Sequence, residues 1–127
     1  MKRSVLTINL KDDPTVIDTY RRYHESVWPE VLQSLRDVGV ERMDIHLLGR
    51  RLVMVVEMND GLDFREALST HAASNARVAE WERLMKGLQE PSPDAPAGEW
   101  WAVMEPVFCL EDQEPAIARA VDRTRRS

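Results

Sequence analysis

A single cysteine, Cys109, excludes a disulfide framework and a thiolate-held metal centre. Glycine is also scarce: the five present form neither a phosphate-cradling loop nor a Gly-x-Ser-x-Gly elbow. Apolar runs are short. The opening MKRSVLTINL starts basic, but Asp12, Asp13 and Pro14 end its apolar stretch, so neither a signal peptide nor a membrane span is expected. Positive charge is in deficit, with 17 Lys and Arg against 22 Asp and Glu and a net charge of -5. That balance argues against a nucleic-acid partner, because phosphate binding needs a basic face. The one basic cluster, residues 119–126, reads as a solvated tail. The three histidines, His24, His46 and His71, lack a short metal-ligand spacing, so no metal is expected. His71 sits in a polar break and is expected to be exposed.

What remains is the composition of a water-soluble globular domain, 43% hydrophobic and 31% charged. A length of 127 residues suits one domain with a modest core. A lone thiol fits a reducing cytoplasm.

Residues 5–10 read as a first strand. Asp13 and Pro14 then start a helix, with an acidic cap and proline in the first turn. Ile17, Tyr20, His24, Val27, Trp28, Val31, Leu35 and Val38 recur at steps of three or four and form one amphipathic stripe, closed by Gly39. Pro29 predicts a kink or short break near Trp28. Residues 43–48 and 52–58 form an antiparallel hairpin around Gly49, Arg50 and Arg51. Residues 62–68 and 76–88 read as helices with a break at 69–75. Residues 89–98 hold three of the seven prolines and form a loop. Residues 100–110 read as a final strand that Pro106 pushes towards a sheet edge or bulge, with Trp100 and Trp101 on opposite faces. Residues 114–126 could add a terminal helix. The order β-α-β-β-α-β is an α+β, ferredoxin-like plait. Residues 1–110 would form its single domain and 111–127 a C-terminal extension. One sheet face lacks a cover, and a second copy of the chain would supply it, making a homodimer.

Tyr20, His24 and Trp28 share one helix face at i, i+4 and i+8. That face is apolar, so His24 should point towards the sheet, partly dry and therefore neutral near pH 7. A neutral imidazole beside a phenol can exchange protons at that pH. Spacing by itself favours a plainer role for His24, a core histidine satisfied by a backbone carbonyl. Asp44 and His46 alternate with Met43, Ile45 and Leu47 and so share one strand face. That face is equally consistent with a polar pocket wall and with solvent exposure. Trp81 on an apolar helix face is by default core packing.

The segment from Tyr20 to Glu30 resembles the helix motif of the L-rhamnose mutarotase family, Y-x-x-x-H-x-x-x-W-P-E, at Tyr20, His24, Trp28, Pro29 and Glu30. The likeness continues through Gly39, Ile45 and Glu57, Trp81 and Met85, and the run Gly98 to Trp101, covering about residues 3–110. It implies a dimeric α+β barrel that exchanges the anomers of a monosaccharide such as L-rhamnose or L-fucose, without cofactor. By the same resemblance His24 is the catalytic acid/base, assisted by Tyr20. Tyr20 and Trp81 contact the sugar; the shared strand face, and not the resemblance, offers His46 and Asp44 as substrate-binding residues, one of them the opposite acid/base partner. Met43 stands where rhamnose enzymes carry a tyrosine, and Glu82 where they often carry a second tryptophan. Two further readings share this plait: a cofactor-free monooxygenase or haem-degrading enzyme, and a non-catalytic sugar-binding module.

Overall fold

A computed structural model describes residues 1–126 of the chain, with side chains described through Val121. Ser127 of the expected extension and the arginine side chains beyond Val121 lie outside the described residues.

Strand β1 (Lys2–Leu10) buries Leu6, Ile8 and Leu10 on one face, as period-2 alternation requires. Helix α1 (Pro14–Glu25) begins at Asp13, whose side chain accepts from the Thr15 amide at 2.9 Å, with Pro14 in the first turn. The single stripe expected up to Val38 is divided between two helices. Pro29 has no amide hydrogen to continue the ladder, so α1 ends at Glu25 and α2 (Pro29–Asp37) starts afresh on it. Gly39, at φ +100°, turns the chain into β2 (Val40–Leu48). The positive φ at Gly39 demands glycine; a Cβ there would also meet the movable tip of Leu62, Cδ1, at 2.5 Å.

Strand β2 and strand β3 (Arg51–Met58) form the expected hairpin across Gly49 and Arg50. Asp63 caps α3 (Phe64–Ala72), and Asn75 caps α4 (Ala76–Leu88) by accepting from the Val78 amide at 3.0 Å. Helix α3 therefore runs four residues into the break expected at 69–75. Two-residue strands β4 (Gln89–Glu90) and β5 (Ala102–Val103) both pair with β1. The sheet order is β2-β3-β1, with β4 and β5 along the far edge of β1, all antiparallel. This is the ferredoxin-like plait.

The final strand is much shorter than expected. After the Met104 amide donates to the Val5 carbonyl at 2.7 Å, the chain leaves the sheet. Pro106 has no donor to offer the ladder, and Val107 and Phe108 lie exposed. Helix α5 (Leu110–Arg126) follows, longer at its start than expected and solvent-exposed where side chains are described. Trp100 and Trp101 precede the paired residues, so strand alternation does not govern them. Both pack against one core instead of opposite faces.

That core lies between the helices and one sheet face. Ile8, Leu10, Leu52, Val78, Trp81 and Met85 form its larger part; Leu6, Val56 and Met58 anchor a second cluster beside it. Each fully buried aliphatic side chain contributes about 1.5–3 kcal/mol. The other sheet face carries Val5, Val53 and Val55, half-buried.

Candidate active site

Between the helices and the sheet lies a partly open cavity of about 1210 Å³. Tyr20, His24, Trp81, Met85, Ile45, Leu47, Met54 and Trp101 are among its lining residues.

One turn of α1 separates Tyr20 from His24, and their rings stack with centroids 4.1 Å apart. His24 Nδ1 lies 2.8 Å from the Tyr20 carbonyl oxygen. A carbonyl accepts only, so Nδ1 carries the proton and Nε2 is left with its basic lone pair. Burial lowers the His24 pKa below its ordinary value, opposed in part by that carbonyl. The ring is therefore neutral at pH 7. Burial also pushes the Tyr20 phenol well above the usual range, with the charge of Glu82 adding to it and Gln89 opposing through a hydrogen bond. Tyr20 keeps its proton and has an O–H available to donate.

The fourth helix supplies the other wall. Because Asn75 sets its start, Val78, Trp81 and Met85 fall on one buried stripe. Trp81 meets His24 edge-on at 5.4 Å and Trp28 at 5.2 Å, with Tyr23 behind it at 5.8 Å. Arg77 covers the far ring of Trp28 at 3.7 Å. The structure thus brings Tyr20, His24 and Trp81 together.

It does not bring Asp44 and His46 to them. Both border the cavity on edge strand β2, but Met43, Ile45 and Leu47 carry the face packed towards the helices. Asp44 and His46 pair with Val55 and Val53, so their side chains belong to the opposite face. Asp44 binds Arg42 Nε at 2.8 Å, and His46 is exposed.

His71 was expected to be exposed, and here the structure corrects the reading: it is 4% exposed and lines the cavity. Extending α3 to Ala72 places it one turn after buried Ala67. Its Nδ1 lies 2.8 Å from Ser34 Oγ, which lies 2.9 Å from Ser74 Oγ. Ser74 Oγ donates to the His71 carbonyl at 2.7 Å. That spends the one proton of Ser74, so Ser34 must donate to Ser74 and His71 Nδ1 must donate to Ser34. His71 Nε2 is thereby a bare acceptor, 3.9 Å from Glu82 Oε1. Burial lowers the pKa of His71 and raises that of Glu82, which Lys86 partly offsets. Two sequence signals point to this pair: Ala67 and His71 at i, i+4, and Glu82 one turn after Val78. Among the described residues, no group of three His, Cys, Asp or Glu could hold a metal ion.

A neutral base, a buried phenol and an aromatic wall in one cleft suit proton transfer on a small polar ligand, and together with the plait they define the class: a small α+β protein with an acid/base pocket. The profile of the L-rhamnose mutarotase family matches residues 3–110. An L-fucose mutarotase of Xanthomonas campestris is 33% identical over 114 residues, covering 88% of this chain and 90% of its own. An L-rhamnose mutarotase of Burkholderia orbicola is 27% identical over 106 residues, covering 84% and 97%. The crystal structure of an L-rhamnose mutarotase from Formosa agariphila superposes with a TM-score of 0.62 at 22% identity. It covers 86% of this chain and 98% of that one, a likeness of fold. The chain belongs to the L-rhamnose mutarotase family. It is a sugar mutarotase, an isomerase acting on carbohydrates.

Proposed function

We propose that the sugar is a 6-deoxy-aldopyranose, of the L-rhamnose or L-fucose type, and that His24 performs the acid/base step in this cavity. The observation that carries the reading is the His24 tautomer: Nδ1–H is tied to the Tyr20 carbonyl, and Nε2 is left basic beside Trp81. His24 Nε2 takes the proton from O1 while the ring oxygen gains one and the C1–O5 bond breaks. The aldehyde rotates, O5 attacks its other face, and the protons return. No electrons leave the sugar, so the step balances without a redox cofactor. Tyr20 donates a hydrogen bond to the sugar, and Trp81 offers its ring to the C–H face and the C6 methyl. The outward side chains of Asp44 and His46 speak against the role of opposite partner.

The mutarotase unit comprises residues 1–110, with 111–127 an extension that the family profile does not span. The valine face of the sheet is the surface on which a second copy would pack into a homodimer; light scattering at micromolar concentration should give twice the 14.6 kDa mass. An exposed, unpaired Cys109 favours a reducing cytoplasm. No helix among the described residues is long and apolar enough to cross a membrane.

Saturation-transfer NMR of anomer exchange tests the reading on L-rhamnose, L-fucose and common aldoses. The expected result is faster exchange for one or both deoxy-sugars. Binding without acceleration would leave a sugar-binding module instead of the enzyme.

A further inference from the structure

Mutarotation needs a donor at the ring oxygen as well as a base at O1. The sheet does not offer one: Asp44 and His46 turn their side chains away. The opposite wall holds a polar chain that ends in a carboxyl group, running Ser74, Ser34, His71 and Glu82.

We propose that Glu82 is a second catalytic residue, delivering the proton to the sugar ring oxygen, with His71 as its positioning residue. The inference rests on the reading of His24 as the base at O1. His71 cannot donate from Nε2, because Ser74 and Ser34 force its single proton onto Nδ1. His71 Nε2 lies 3.9 Å from Glu82 Oε1, beyond hydrogen-bond range, so a bare Nε2 offers the partly exposed carboxylate no donor on that side. A protonated Glu82 could close on Nε2 by a small movement, and it holds its proton at the cavity wall. Burial acts in the same sense, raising the Glu82 carboxyl and lowering the His71 imidazole. Glu82 also adjoins Trp81 in sequence and lines the same cavity as Trp81, Tyr20 and His24.

In the step, O5 takes the Glu82 proton as C1–O5 breaks, and His24 takes the O1 proton. The open-chain aldehyde then faces a carboxylate and an imidazolium. On ring closure the O5 hydroxyl returns its proton to Glu82, and His24 reprotonates O1. Tyr20 from α1 and Lys86 on α4 interact electrostatically with Glu82, His71 from α3 lies 3.9 Å from it, and Arg21, His24 and Glu25 from α1 and Asp44 and His46 from β2 line the shared cavity. Arg36 and Arg42 border the same cavity from α2 and β2.

The experiment is the pH profile of anomer exchange for wild type, Glu82→Gln and His71→Gln, each with KM separated from kcat. Glu82→Gln should lower kcat by about 10²-fold, leave KM unchanged and abolish the alkaline fall in rate. His71→Gln should shift that alkaline fall to lower pH, because the side-chain amide can turn an N–H donor towards the carboxylate where Nε2 has none. Should His71→Gln not fold, ¹⁵N shifts of His71 in the wild type still test the tautomer: protonated Nδ1 and bare Nε2 are expected. Wild-type kcat and an intact alkaline limb in Glu82→Gln would overturn the proposal, as would an Nε2–H tautomer at His71. A rise in KM alone would also overturn it, making Glu82 a binding group. If the wild type itself fails to accelerate exchange, the mutarotase reading fails and this proposal with it, whereas an accelerating wild type matched by Glu82→Gln overturns this proposal alone.

Discussion

His24 and His71 face one cavity from different helices, and each has its Nδ1 proton tied, yet their partners differ in kind. His24 is tied to the carbonyl of its own helix, four residues back. His71 is tied to Ser34, thirty-seven residues away on α2, and through it to Ser74. The first arrangement costs the fold little if lost, since a helix carbonyl keeps its backbone bond. The second stitches α2 to α3 in a dry site, where an unsatisfied hydroxyl is costly. The proposed base and the tie between α2 and α3 are thus different imidazoles.

The sharpest way to break this contrast is His24→Ala. Exchange should fall by about 10³-fold, close to 4 kcal/mol of barrier at 1.36 kcal/mol per tenfold, with far-UV circular dichroism unchanged. Near-normal exchange in that variant would remove His24 from the mechanism. His71→Ala should instead cost about 1–3 kcal/mol of stability, read from the urea midpoint, because Ser34 loses its buried partner.

Acid should weaken the fold through both rings. Each imidazole has a folded pKa below its unfolded 6.5, so its contribution is complete above pH 6.5 and is lost as pH falls through the folded value. Each alanine variant should flatten part of that decline in Tm, and His71→Ala more than His24→Ala if the contrast holds. Glu82 has the opposite sign. Its raised folded pKa makes its contribution complete below pH 4.5 and lost as pH rises through the folded value. Glu82→Gln should therefore gain stability relative to wild type above pH 4.5, a small rise in Tm that accompanies its loss of activity. A lower Tm at pH 8 than at pH 4, relative to wild type, would contradict that sign.

Much of this was legible before any coordinates. Asp13, Pro14 and Pro29 locate the ends of α1 and α2 because caps and missing amides act within a single turn. The hairpin around Gly49 follows from two apolar runs and a short turn. His24 was legible too, since i, i+4 spacing places it on the buried stripe with Tyr20. Less legible was the region after Trp100. Propensity favours a strand there, but only Ala102 and Val103 meet an available edge of β1, and the ladder ends before Pro106. His71 was missed because the polar residues from Ser69 to Asn75 suggest a break, while the Asn75 cap of α4 leaves room for α3 to run on to Ala72.

Periodicity and capping, acting over three or four residues, determined the elements and the placing of Tyr20 and His24 on one helix face. Long-range packing decided the rest: that His71 meets Ser34, that Glu82 turns towards the same cleft, and that Asp44 and His46 turn away from it. Those facts depend on how α2, α3, α4 and β2 dock. No local pattern records docking, because the groups that meet stand dozens of residues apart along the chain.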